Sequence, residues 1–159
     1  METKEIEIAL INYLQSLKKL QEIGITTNKK DFTSQIGEWL AEKVFNGKRA
    51  ESGIQKYWDI DSEIGKIQVK THSKSKTTKA RWSAIKYDVD AEVDFVVIVV
   101  FSEDYQLTEF YQVPWKDCLK LIRRNKDRDV LMWDHIIHFK IEIKNIPNQE
   151  IISIFTNKI

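Results

Sequence analysis

The sequence predicts an α/β domain, a mixed sheet flanked by helices. Three observations carry this. Residues 57–70 read as a β-hairpin, with apolar and polar side chains alternating along the arms. Residues 94–101 are the most apolar run, rich in valine, and fit a buried central strand. Before and after these strands, apolar residues recur at helical spacing.

The elements follow in order. Over residues 4–23, Ile6, Leu10, Tyr13, Leu14, Leu17 and Leu20 share one face of a helix that Gly24 stops. A second helix spans residues 31–46, capped by Asp31 or Thr33 and ended by Gly47, with Ile36, Trp39, Leu40 and Val44 inward. On it Glu38 and Glu42 lie one turn apart. A linker over residues 48–55 leads to the hairpin, whose turn is expected at Ile64-Gly65. Residues 72–79 are Ser/Thr/Lys-rich and read as a mobile connection, while residues 81–87 fit no pattern well. After the valine-rich strand come a strand at 110–113 and a helix over 115–125, with Pro114 at its first position. Residues 138–143 alternate like a late strand, and 151–155 suit a strand or short helix.

At 159 residues the chain has the size of one domain. Within it, residues 1–24 form an N-terminal helical extension, 31–126 the core and 130–159 a C-terminal strand region. A single cysteine, Cys118, excludes an internal disulfide and suits a reducing compartment. No apolar run reaches the roughly 18 residues that span a bilayer. The charged, acidic start is unlike a signal peptide. A soluble cytoplasmic protein with no membrane partner is expected. Five glycines and no phosphate-binding glycine motif argue against a nucleotide cofactor. His135 and His138 lack the further ligands a zinc site needs.

The net charge is +1, yet the cations are clustered. Lys66, Lys70, Lys74, Lys76, Lys79, Arg81 and Lys86 follow one another with no acid between them. Lys116, Lys120, Arg123, Arg124, Lys126 and Arg128 form a second group. Such stripes attract phosphates even when the total charge is balanced. Trp82 beside Arg81 adds an aromatic that can stack on a base or join the core.

The hairpin carries the chemistry. Residues i and i+2 of a strand share a face, so Asp59 pairs with Asp61, and Gln68 with Lys70 and His72. Ile60, Ile67 and Val69 point to the core. Mg²⁺ prefers oxygen ligands, one or two of them carboxylates. Asp59, the Gln68 amide oxygen and the Val69 carbonyl supply such oxygens, and Glu38 or Glu42 adds a carboxylate if the second helix packs alongside. Lys70 supplies a cation that orients water or offsets developing charge. Singly, each of these is an ordinary surface residue; their joint placement favours function.

Here the chain resembles the PD-(D/E)xK nuclease superfamily of restriction endonucleases and Holliday-junction resolvases. The residues that carry the resemblance are Ile36-Gly37-Glu38-Trp39-Leu40-Ala41-Glu42, Asp59, and Gly65-Lys66-Ile67-Gln68-Val69-Lys70-Thr71. Trp58 stands where that family often has proline, and Gln68 where it usually has an acid. The resemblance implies a three-layer α/β/α core with a central mixed sheet and an Mg²⁺-dependent endonuclease acting on DNA, with Mn²⁺ as a substitute. It implies Asp59, Glu38, Gln68 and Val69 as metal ligands, with Glu38 preferred over Glu42, and Lys70 as the catalytic cation. Lys74, Lys76, Lys79, Arg81 and Trp82 are expected on the DNA, with Asp61 and His72 near the site. A homodimer is expected, because one site cuts one strand, and the first helix is a candidate contact or a cover for the sheet. The neutral Gln68 favours the rival reading, an inactive nucleic-acid-binding or accessory protein on the same fold. A third reading is a protein-interaction domain whose basic segment meets an acidic partner.

Overall fold

Gly65–Lys74 forms the long strand β3 that positions everything else. The computed structural model describes residues 3–29, 31–51 and 57–156. Within these, β1 (Lys48–Arg49), β2 (Ile60–Ser62), β3, β5 (Phe95–Ser102) and β6 (Leu107–Pro114) make one sheet in the order β1-β2-β3-β5-β6. The sheet is mixed: β3 and β5 run parallel, while the other neighbours are antiparallel. A smaller sheet joins β4 (Trp82–Ala84), β8 (Asp129–Met132) and β7 (Arg123–Arg124) in the order β4-β8-β7. The chain is thus the mixed α/β fold that its periodicity predicts.

Alternation along β3 and β5 creates two cores. Ile67, Val69, Val97, Val99 and Phe101 face one side, where Ile36, Leu40, Ala41 and Val44 of α2 (Phe32–Val44) cover them. Ile152 of α4 (Gln149–Ser153) and Phe155 close the same core. Val96, Ile98 and Val100 face the other side and pack on Tyr111, Trp115, Cys118, Leu131, Trp133 and Ile136. That layer contains α3 (Trp115–Leu121) and the small sheet. Burial holds the Cys118 thiol up at about 12, which makes it an inert core side chain.

Several expectations are corrected. The two-residue hairpin turn is Glu63-Ile64; Gly65 opens β3 opposite Ser62, with φ of 120°. A Cβ there would lie 2.4 Å from the Asp94 carboxylate, which accepts the Lys66 N–H, so glycine is required. Asp31, not Thr33, caps α2, accepting from the Ser34 N–H. Pro114 precedes α3 as its cap residue, and α3 stops at Leu121 because Ile122 turns extended to start β7. The expected strand at 138–143 does not form. Trp133–Phe139 is instead two short 3₁₀ turns that meet at a kink at Ile136, and Trp133 and Ile136 are buried. Of the expected strand only Lys140 makes a bridge, to Tyr111. Part of the linker expected at 48–55 lies outside the described residues.

The helix α1 (Thr3–Glu22) does not cover the sheet: none of its residues is buried. Among the described residues no helix is long and apolar enough to cross a membrane.

Candidate functional site

The site forms where β2 leaves β3. Pairing between them ends at Ile60–Ile67, closed by the Asp59 N–H donating to the Ile67 carbonyl at 2.8 Å. Beyond this point the Asp59 side chain takes the place of a strand: its Oδ2 accepts the Val69 N–H at 2.7 Å. A strand residue presents its N–H and C=O along the same edge, so the Val69 carbonyl faces this opening too.

Helix α2 closes the opening through Gly37. A Cβ at Gly37 would stand 1.8 Å from Thr71 Oγ1, so only glycine lets the helix lie this close to β3. The next residue, Glu38, is thereby set beside Asp59. Glu38, Asp59, Gln68, Val69, Lys70, Thr71 and His72 line one cleft. The Thr71 hydroxyl at its wall is buried without a hydrogen-bond partner.

The electrostatics are those of acids crowded together. Burial, then the charge of Asp59, pushes Glu38 from 4.5 up to about 7. Burial also raises Asp59, against the opposing pull of the Val69 N–H and Lys70. The Lys70 charge acts favourably on both carboxyls. Glu38, Lys70 and the Gln68 side chain form no hydrogen bond or ion pair among the described residues. Two carboxylates, an amide and a main-chain carbonyl are hard oxygen donors, the set that suits Mg²⁺. The orphaned Thr71 hydroxyl and the half-buried acids without a cation partner fit such an ion. Asp31 also lines the cleft and its charge adds to the rise of Glu38, but among the described residues no group of three or more His, Cys, Asp or Glu converges as a metal site would, so an ion held by Glu38 and Asp59 relies on neutral oxygens for the rest.

No protein-family model matches the chain, and no curated protein matches it. The residues themselves therefore carry the reading.

The other predicted site residues are placed differently. Glu42 accepts the Arg49 N–H at 3.0 Å and pairs with the Arg49 Nε at 3.4 Å, tying α2 to β1 away from the cleft. Asp61 is exposed and sits opposite Lys66 and Lys48 in the hairpin ladder. His72 lines the far end of the cleft, its Nε2 2.8 Å from Ser83 Oγ and its ring edge-on to Trp133. Burial, with Lys70 and Lys74 nearby, lowers its pKa and keeps it neutral.

Of the expected DNA contacts, Lys76 and Lys79 are exposed on the loop after β3, and Lys74 lies over the Trp133 ring at 5.1 Å. Arg81 is engaged inside the protein. It donates a fork to Glu109, 3.0 Å on each arm, and its Nε reaches Asp134 at 3.1 Å. Burial opposes the Glu109 charge, but Arg81, Lys140 and Tyr111 hold its pKa down at about 2. This network fastens the start of β4 to β6. Trp82 is half-buried, its ring 5.3 Å beneath the Arg128 guanidinium.

A second groove opens from the cleft and shares Gln68, Lys70 and Ala84 with it. Lys86, Lys126 and Arg128 line it with Asp127 and Asp129, and with Lys70 the cations are in excess. None of Lys86, Lys126 and Arg128 forms an ion pair among the described residues. Lys86 and the cations of the β7–β8 hairpin appear in the sequence as ends of two separate basic runs. Only the pairing of β4 with β8 brings them together.

Proposed function

We propose that this protein is a metal-dependent nuclease acting on DNA, built on a PD-(D/E)xK-like scheme. One observation carries the reading: Glu38 from α2 and Asp59 from just before β2 meet in one cleft beside Lys70. The basic groove leading out of that cleft supports a polyanionic substrate.

Asp59 and Glu38, with the Gln68 amide and Val69 carbonyl, would hold a divalent ion, which polarises a phosphoryl oxygen and activates water when bound. The Val69 N–H fixes the Asp59 rotamer, so this acid is oriented before any ligand arrives. The close approach of Gly37 to Thr71 sets the backbone of Glu38 beside the strand, while its side chain stays free of hydrogen bonds among the described residues. Lys70 faces the same cleft and offsets negative charge that builds on the phosphorus oxygens. Lys86, Lys126 and Arg128 hold the flanking phosphates and set the strand along the groove.

Gln68 in place of an acid favours a second reading, a non-catalytic nucleic-acid-binding protein with the same cleft. One experiment separates the two. Purified protein is incubated with Mg²⁺ or Mn²⁺ and plasmid, linear or branched DNA, beside Lys70→Ala and Asp59→Asn. Cleavage by the wild type that is lost in both variants is expected. Cleavage that persists in the variants refutes the site, and DNA binding without cleavage under every condition supports the second reading.

A further inference from the structure

Behind the cleft, two buried side chains fix the state of a third that the metal scheme leaves unused. Ser83 of β4 is fully buried, and its hydroxyl lies between two nitrogens, the Trp133 Nε1 at 3.0 Å and the His72 Nε2 at 2.8 Å. These are its only partners among the described residues. An indole N–H can only donate, so the Ser83 oxygen accepts from Trp133. The Ser83 O–H then needs an acceptor of its own, because a buried hydroxyl without one is costly. The acceptor it meets is the lone pair of His72 Nε2. A neutral imidazole carries its proton on one nitrogen, so in His72 that nitrogen is Nδ1. Burial, with Lys70 and Lys74 nearby, keeps the ring neutral. Its orientation is held by Trp133, which it meets edge-on at 5.0 Å between ring centroids.

We infer that His72 is a fixed, neutral phosphate-binding residue, its Nδ1–H donating to the backbone of the bound strand, with Ser83 and Trp133 as its positioning residues. The inference rests on the reading of the cleft as a nucleic-acid site. His72 lines the same cleft as Glu38, Asp59 and Lys70, and its Nδ1 has no hydrogen-bond partner among the described residues. On β3 it shares a face with Gln68 and Lys70. Two residues of strand carry it about 6.6 Å beyond Lys70. That is far enough to meet the phosphate next to the one at Lys70 rather than the same one. Phosphate oxygens only accept, so a ring nitrogen that presents an N–H suits them, and the opposite tautomer would present a lone pair. The contact differs in kind from that of a lysine. A neutral donor adds a hydrogen bond but releases no counterion.

Long-range ¹H–¹⁵N correlation spectra of the full chain read the tautomer. The chain has three histidines, and the signals of His72 are those that His72→Gln removes. A protonated Nδ1 and a bare Nε2 are expected. Ser83→Ala removes the donor to Nε2 and is expected to return the ring toward the Nε2–H form common in water. A wild type with its proton on Nε2, or a tautomer unmoved by Ser83→Ala, overturns the inference.

Duplex DNA, titrated in Ca²⁺ so that nothing is cut, reads the contact. His72→Gln keeps an amide at the Nε2 position and loses the donor to the cleft, whereas His72→Asn keeps a donor at the Nδ1 position. Binding about tenfold weaker is expected for the glutamine variant and at most about threefold weaker for the asparagine variant. Both are expected to keep the wild-type slope of log affinity against log salt. Loss in neither variant, equal loss in both, a slope reduced by about 1 as for a lost cation, or a wild type that binds no DNA overturns the inference. DNA that is bound but never cut with Mg²⁺ would instead sink the nuclease reading and leave this one standing.

Discussion

Replacing Glu38 with glutamine tests the electrostatic core of the site without any substrate. In the folded protein Glu38 is raised from 4.5 to about 7, by burial first and by Asp59 second. A folded-state pKa above the unfolded one means that the folded protein binds the proton more tightly. The contribution of Glu38 to stability is therefore greatest below pH 4.5 and is lost as the pH rises through 7, where Glu38 ionises beside Asp59. The full displacement corresponds to about 3.4 kcal/mol. Glu38 is only half-buried, and solvent screening reduces this to about 1–2 kcal/mol. Glu38→Gln keeps the shape and removes the charge. Urea unfolding at pH 5 and pH 8 is the assay. The variant is expected to be more stable than the wild type by about 1–2 kcal/mol at pH 8, with the gain shrinking toward pH 5. A variant that is less stable at pH 8, or a difference independent of pH, would refute the crowding of the two acids.

Three further predictions concern the packing and the groove. Gly37→Ala drives a methyl group into Thr71 Oγ1, so α2 must move off β3; a loss of about 1–3 kcal/mol is expected in thermal or urea unfolding, together with loss of any cleavage activity. Removing Lys126 and Arg128 together should lower the slope of log affinity for duplex DNA against log salt by about 2. Arg81→Ala should leave that slope unchanged and instead destabilise the fold by about 1–3 kcal/mol, because Glu109 loses its strongest partner.

The hairpin was legible because strand alternation is local: Ile60, Ile67 and Val69 go to the core, and Gln68 and Lys70 to the cleft, from period alone. The choice between Glu38 and Glu42 was less so. Both lie on one helix face, and what separates them is the close packing of Gly37 on Thr71, made between α2 and β3. Arg81 reads as a phosphate ligand because it lies in a basic run; its true partners, Glu109 and Asp134, are distant in sequence. The groove of Lys86, Lys126 and Arg128 was hidden for the same reason. Periodicity showed that α1 has an apolar face, but not that its own chain leaves that face uncovered. At 138–143, alternation predicts a strand, but the chain there makes short 3₁₀ turns and only Lys140 bridges to the sheet.

The central claim is that Glu38 and Asp59 share one divalent ion beside Lys70. A crystal soaked in Mn²⁺ and recorded at an anomalous wavelength tests it directly. A single strong peak at roughly 2.0–2.3 Å from an oxygen of each carboxylate is expected, absent from a crystal of Asp59→Asn. A Mn²⁺ peak elsewhere with none between these two residues, or a peak that Asp59→Asn leaves in place, would contradict it.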